Sequence, residues 1–309
     1  MVVALAGVLV CAAVAVFGPA PDRWLRSAQR FHDYFHVPGF ALVAALLLAG
    51  FPARDGLGGR RALHHAVLLA ASVGVGMLVE GLQGIAGGDM DAGDVVRDLA
   101  GATVTLLAAA SCRPDVRPSS RWALRFGALV LALGFAAPTV GALADEARAR
   151  RRFPVLADFS RADELERFEW SALTTASRVQ TNDGGAGRRP ALRVSLAPGQ
   201  FPGFALIYFP RDWRGFRSFV LSYANRSSAS FELNVRIDDK RHNNEHTDRF
   251  NGRYQVAPGR HEIRIALADV ESAPRGRKLD LGNVRTVIVF AYKPQTPREI
   301  VVESLRLER

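Results

Sequence analysis

The chain is short of the residues that staple or activate many proteins. Two cysteines occur in 309 residues, Cys11 and Cys112. Both lie in the first half, so no disulfide framework holds the second half together. Lysine is absent from residues 1–150 and appears three times afterwards, so arginine carries the positive charge. There is no Gly-x-Ser-x-Gly nucleophile elbow and no Gly-x4-Gly-Lys phosphate loop, which removes two common hydrolase and nucleotidase frames. The stretch Gly184-Gly-Ala-Gly187 lacks the lysine and following helix that a phosphate loop needs. Apolar residues are plentiful: 49% hydrophobic against 23% charged excludes a disordered chain. They gather in runs long enough to enter a bilayer, which excludes a fully soluble enzyme.

Charge divides the sequence near residue 150. Residues 1–150 hold 13 Arg against 11 Asp and Glu, a net of +2. Residues 151–309 hold 24 Arg and 3 Lys against 19 acids, a net of +8. Five apolar segments fall in the first part: Val2–Phe17, Val37–Phe51, Leu63–Ile85, Val95–Ala110 and Ala123–Leu143. A spanning helix needs ~20 apolar residues. The second segment reaches that length only if it starts near Phe31, which brings His32, Asp33 and His36 to the membrane. The first could be a cleaved signal, but it lacks a basic leading region and reads as a retained helix. Arg54, Arg60 and Arg61, with Arg113, Arg117 and Arg121, mark two short basic loops. The positive-inside rule puts them in the cytoplasm. The expected topology is multi-pass in the cytoplasmic (inner) membrane, with the N-terminus inside and the C-terminal domain extracytoplasmic. Arg23, Arg26 and Arg30 oppose it, three against six. The expected organisation is an all-α membrane bundle over 1–144, a charged linker over 145–153 and an all-β domain over 154–309. The arginines of the linker suit anionic lipid headgroups or plain solvation.

Polar groups at membrane depth are costly and face a partner or a wet cavity. Glu80 and Gln83 share a helical face, and Asp94, Arg97 and Asp98 open the next helix. One reading is a buried cluster that locks two helices, Glu80 against Arg97. The other is an outward polar site for a lipid headgroup or lipid-linked sugar, with Glu80, His36 and Asp94 as catalytic candidates. The pattern His36…Glu80-x-x-Gln83…Asp94-x-x-x-Asp98-x-x-Gly101 resembles the VanZ-like family of small polytopic bacterial membrane proteins, over about residues 20–140. Two positions depart from it: Asp98 stands at the family's Asn, and Asp89 at its Arg. Asp33 also precedes His36 by three residues instead of four. The resemblance implies a role in the cell envelope.

From Pro154 the pattern turns to short alternating strands separated by turn residues. Val155–Phe159, Ala191–Leu196, Phe204–Phe209, Ser218–Tyr223, Phe231–Ile237, His261–Leu267, Thr286–Tyr292 and Ile300–Leu307 read as eight strands, the size of an antiparallel jelly-roll sandwich. Glu232, Asn234, Arg236 and Asp238 alternate with Phe231, Leu233, Val235 and Ile237. A polar row therefore opposes the core face. Such a row, if concave and lined by aromatics, makes a sugar site; otherwise it is a solvated sheet face. The polar loop Asp238–Asn251 rims that face. The ligand candidates are Arg236, Asp238, His242, Asp248 and Asn251 for hydrogen bonds, and Trp213, Tyr223 and Tyr292 for stacking, with Trp213 fitting the core equally well. His242 and His246 alone do not make a zinc site, which needs three or four ligands.

Val155-Leu-Ala-Asp158-Phe159, Asp212-Trp213-Arg-Gly-Phe, Val235-Arg-Ile-Asp238, Asp248-Arg-Phe-Asn251, Pro258-Gly259-Arg-His-Glu-Ile and Val302-Glu303-Ser-Leu-Arg-Leu resemble carbohydrate-binding modules of the galactose-binding-like type. That resemblance implies a structural calcium at Asp158 and Glu303, although Glu stands where Asp is usual. The dispersed positive charge suits acidic envelope polymers better than nucleic acid. The leading expectation is a membrane protein presenting a glycan-binding sandwich. A membrane enzyme or carrier acting on a lipid-linked envelope precursor, and a protein-binding outer domain, are the alternatives. The sequence assigns neither a reaction nor an oligomeric state.

Overall fold

The computed structural model describes residues 1–3, 6–8, 25–52, 61–85, 91–182 and 187–309. Most of the first apolar segment lies outside them. The chain forms two compact units, Met1–Ala142 and Leu143–Arg309.

The first unit is helical. Helix α1 spans Arg26–Gly50, α2 Arg61–Ile85, α3 Ala92–Ser111 and α4 Pro118–Arg152, the residues of α4 from Leu143 on being counted with the second unit. Among the described residues, α1, α2 and α4 are long and apolar enough to cross a membrane. The fourth apolar segment forms α3, but Asp94, Arg97 and Asp98 near its start keep it out of that class. Helix α1 starts five residues before even the extended expectation. From His36 on, its buried set of His36, Val37, Phe40, Val43, Ala44 and Leu47 follows one helical face, and Arg26 is buried again at the start.

Large apolar side chains of this unit point outward: Phe31, Phe35, Leu63, Met77, Leu78, Phe126 and Leu133 are all exposed. The inner cluster is small, built on Val8, Phe40, Val43, Leu47 and Leu68. Such a surface is unsuited to water and suited to lipid. Helices α1 and α3 pack closely at Gly101, where a Cβ would collide with the carbonyl oxygen of Val37. The hydroxyl of Thr105 donates to the carbonyl of Ala41 at 2.8 Å across the same seam.

The second unit is a two-sheet antiparallel sandwich. Its strands are β1 (Val155–Ala157), β2 (Phe168–Trp170), β3 (Thr174–Asn182), β4 (Arg188–Leu196), β5 (Gly203–Leu206), β6 (Ser218–Asn225), β7 (Phe231–Asp239), β8 (Phe250–Val256), β9 (Gly259–Ala266), β10 (Val284–Phe290) and β11 (Arg298–Glu308). One sheet runs β3-β4-β11-β6-β9, with β1 also paired to β11; the other runs β2-β5-β10-β7-β8. A short helix, α5 (Leu267–Ser272), follows β9. Alternation builds the core: Phe231, Leu233, Val235 and Ile237 of β7 face in, as do Phe219, Leu221 and Tyr223 of β6 and Ile300, Val302, Leu305 and Leu307 of β11.

Residues 145–152, read from sequence as a charged connector, are the last turns of α4. Arg167 donates from Nε to Asp145 at 2.9 Å and from Nη2 at 2.6 Å, and from Nη1 to the carbonyl of Leu156 at 2.8 Å. Both charged residues are buried. Arg148 pairs with Asp163, and Arg152 with Asp158. Leaving one member of a buried pair alone costs about 3–5 kcal/mol, whereas replacing both with apolar groups is often nearly neutral. Arg167→Met is therefore expected to destabilise the Leu143–Arg309 unit by about that amount in guanidinium denaturation. The double variant Asp145→Leu/Arg167→Met should recover most of the loss.

Candidate functional site

Strand registers define the outer face of the sheet β2-β5-β10-β7-β8. Phe290 lies opposite Asn234, Ile288 opposite Arg236 and Thr286 opposite Asp238. On the other side of β7, Arg253 lies opposite Asn234 and Asn251 opposite Arg236. Directly opposed residues share a face, and Val287 and Val289 between them point into the core. Phe290, Asn234, Arg236, Asn251, Asp238 and Thr286 therefore form one surface. From Phe290 to Thr286 it extends about 13 Å along the strand, the length of a short oligosaccharide.

An aromatic ledge closes one end. Phe201 is 46% exposed and Tyr292 55% exposed. Their ring centroids are 5.5 Å apart, and that of Phe201 is 5.6 Å from that of Phe290. Gly203 lies opposite Phe290 in β5, and a side chain there would strike Phe290 and the carbonyl of Val289. Beside the ledge, Asn234 Nδ2 is buried without a hydrogen-bond partner among the described residues; at the far end the same holds for Oγ1 of Thr286, a residue only 9% exposed. Buried polar atoms left unpaired are costly and await a partner. Asp238 at the far end is fully buried and clamped: Arg236 Nε donates to Oδ2 at 2.9 Å and Arg285 Nε to Oδ1 at 2.9 Å.

Several expected ligand contacts are corrected. Trp213 has no exposed surface; it stacks on Phe219 with centroids 5.7 Å apart, and its indole N–H donates to the carbonyl of Pro210 at 3.2 Å. Tyr223 also points into the core, because its position on β6 falls on the inward phase. His242 is buried and hydrogen-bonded through Nδ1 to the carbonyl of Asp248 at 2.9 Å, so it pins the loop. Asp248 accepts from Asn243 N–H and from Arg277, which also grips Asp239 with both terminal nitrogens. Arg236, Asn251 and Tyr292 keep accessible surface, with Asn251 also held by His246 and Arg249. Phe201 escapes a strand-pattern reading because it precedes β5; its signal is the Phe-Pro-Gly turn against Gly203.

The carboxylates expected to hold calcium do not fit a cation. Asp158 is engaged by both terminal nitrogens of Arg152, and Glu303 accepts from Arg260 at 2.6 Å. Both line a cleft of about 750 Å³ on the outer face of the other sheet. In that cleft Arg306 likewise binds Glu262 at 2.6 Å and Ser222 at 2.6 Å. Guanidiniums already supply the charge a calcium ion would bring.

In the helical unit, the N-terminal half of α1, the end of α2 and the start of α3 converge. His36 Nδ1 lies 2.8 Å from Asp98 Oδ1 and its Nε2 lies 3.5 Å from Asp94 Oδ2. Glu80 accepts from the N–H of Asp91 at 3.1 Å. Arg97 pairs with Asp33, Asp91 and Asp94 and not with Glu80, which corrects the expected Glu80–Arg97 lock. Gln83 lies one turn further along α2, partly buried. A groove of about 420 Å³ adjoins Arg97, lined by Arg30, Asp33 and Tyr34 and by Val130, Leu131 and Phe135 of α4.

No protein-family model and no curated protein match the chain. Among solved structures, it is similar to an exo-β-agarase, with TM-score 0.42 and 13% identity over 50% of this chain and 24% of that one. It is similar to a family 11 carbohydrate-binding module from Clostridium thermocellum in complex with a β-1,3-1,4-mixed-linked tetrasaccharide, with TM-score 0.38 and 16% identity over 50% of this chain and 94% of that one. A family 28 module specific for non-crystalline cellulose gives TM-score 0.36 and 11% identity over 51% of this chain and 93% of that one. The chain thus spans about a quarter of the agarase's length.

The Arg277 bridge gives the sandwich a defined acid response. Hydrogen bonds from Arg277 hold Asp248 down at about 2. Burial pushes Asp239 up, but hydrogen bonds from Arg277 and the Asp280 N–H outweigh it and keep that carboxyl below its usual value. An unfolded Asp titrates near ~3.9. The lowered groups therefore stabilise the fold fully above that value, and the contribution is lost as pH falls from ~4 toward ~2. Arg277→Gln is expected to lower stability at pH 7 and to flatten its decline over that window, read from urea unfolding of the Leu143–Arg309 unit between about pH 2 and 7.

Proposed function

We propose that this chain is a bacterial cell-envelope protein whose helices anchor a glycan-binding sandwich outside the cytoplasmic membrane. The observation that carries the reading is the exposed Phe201–Tyr292 ledge set beside Asn234, whose buried Nδ2 has no hydrogen-bond partner among the described residues. Aromatic faces pack on sugar C–H surfaces while amides, hydroxyls and guanidiniums bond the hydroxyls. The resemblance of residues 154–309 to carbohydrate-binding modules supports this ligand class, and the basic surface favours an acidic envelope polymer. The VanZ-like pattern of the helical unit supports an envelope setting.

A second reading has its own observation. The groove beside Arg97 combines charged residues of α1 and α3 with apolar residues of α4, a lining suited to the headgroup and chain of a lipid-linked envelope precursor. In that reading the His36–Glu80–Asp94 site does chemistry on the precursor and the sandwich recruits it.

The soluble Leu143–Arg309 unit is expected to be retained on envelope glycans or on a glycan array. Phe201→Ala and Tyr292→Ala should each weaken binding about tenfold, equivalent to ~1.4 kcal/mol, whereas Glu262→Gln in the opposite cleft should leave it unchanged. A unit that retains no glycan would shift the assignment to protein binding. Topology has an independent test: a reporter fluorescent only in the cytosol, fused after Arg309, is expected to stay dark, and a bright fusion would overturn the outer placement.

A further inference from the structure

We propose that His36, Glu80 and Asp94 form a binding site for one divalent transition-metal ion at the end of the helical unit. One ligand atom from each of the three lies within 4.8 Å of the others. Glu80 is only 6% exposed, and its Oε1 is buried without a hydrogen-bond partner among the described residues. An ionised carboxylate oxygen buried without a partner is costly, and a cation beside it offsets that cost.

The neighbouring groups are arranged as a metal site requires. His36 Nδ1 lies 2.8 Å from a carboxylate oxygen of the buried Asp98, a contact that can hold a proton on Nδ1 and so offer Nε2, 3.5 Å from Asp94, to a metal ion. This carboxylate–histidine arrangement fixes the tautomer and orientation of a metal-ligating imidazole. Room for Asp98 comes from Gly76 of α2, where any Cβ would collide with its carboxylate. The charge is also unbalanced toward a cation. Arg97 serves Asp33, Asp91 and only the Oδ1 of Asp94, whose Oδ2 is turned to His36, while Glu80 and Asp98 have no guanidinium partner among the described residues.

One imidazole and two carboxylates suit Zn²⁺, Mn²⁺ or Fe²⁺ and not the all-oxygen preference of Ca²⁺ or Mg²⁺. Ligands around a tetrahedral Zn²⁺ at ~2.1 Å stand about 3.4 Å apart, so rotamer-scale movement closes the present spacing. Three protein ligands leave a fourth position for water or an oxygen of a bound molecule.

The test uses the full chain, untagged, in detergent and stripped with chelator, titrated with Zn²⁺ against a chromophoric competitor. One equivalent of Zn²⁺ per chain is expected. Glu80→Gln and Asp94→Asn should each weaken binding at least tenfold, and Asp98→Asn by about 10–100-fold through the misoriented imidazole. Asp33→Asn, which removes a partner of Arg97 but no ligand, should bind like the parent. Helical circular dichroism and a monodisperse elution profile confirm folding for each variant, and Glu80→Gln preserves shape and hydrogen bonding. A folded parent that binds no Zn²⁺, or a folded Glu80→Gln chain that binds it as tightly as the parent, would overturn the site. Glycan retention by the Leu143–Arg309 unit is measured separately and is independent of either outcome.

Discussion

A carboxylate withdrawn from water must be met by donors or by positive charge, and this chain meets the demand with arginine. Asp145 is held by Arg167, Asp238 by Arg236 and Arg285, and Asp239 and Asp248 by Arg277. Arginine suits the task because its planar fork satisfies both carboxylate oxygens and keeps its charge at any physiological pH. The near absence of lysine thus has a structural meaning: the cations of the sandwich are built into its loops and strand ends as well as spread on its surface. The same logic removes calcium from Asp158 and Glu303, whose charge is already answered by Arg152 and Arg260. It also isolates Glu80, where one oxygen is met by a backbone N–H and the other by nothing among the described residues.

Every central strand of the sandwich is legible in sequence, whereas among the strands that end the two sheets only β9 is. Strands β6, β7, β10 and β11 carry long apolar alternation because each is flanked by two neighbours and packs a full inward face. Strands β2, β3 and β8, which the pattern does not reveal, all lie at sheet edges. There Thr174-Thr-Ala-Ser-Arg-Val-Gln-Thr-Asn182 needs little apolar content, and its polar residues protect the open edge. In the helical unit, the span Leu63–Ile85 coincides closely with α2, whereas α1 and α4 run past their apolar stretches. A helix continues as long as its hydrogen bonds and one packed face persist, and hydropathy alone does not mark that end.

The candidate sites divide in a similar way. Alternation identifies the polar row of β7, since period two is a local property. It does not say which aromatics are free, because that depends on which sheet covers them: Trp213 and Tyr223 are consumed by the core, and Tyr292 beyond the end of β10 is not. Phe201 joins Tyr292 only through a turn whose geometry no pattern encodes. Likewise, the polar loop Asp238–Asn251 reads as a ligand rim from composition. Its closure by Arg277 comes from a segment about thirty residues away, visible only once β7, β8 and the loop before β10 are assembled.

Two glycines connect the spacing of the helical motif to its geometry. Gly101 removes the side chain that would hold α3 away from the backbone of α1, so Asp98, one turn earlier, comes within hydrogen-bonding reach of His36. Gly76 does the same on α2 and leaves the pocket that the Asp98 carboxylate fills. With both approaches closed, the imidazole is held at its Nδ1 and its Nε2 turns toward Asp94 and Glu80. Small residues at helix seams often need no explanation beyond packing. Here the packing distance also sets the position of a buried carboxylate, so a motif that pairs Glu80, Asp94 and Asp98 with Gly101 describes one geometric object assembled from three helices.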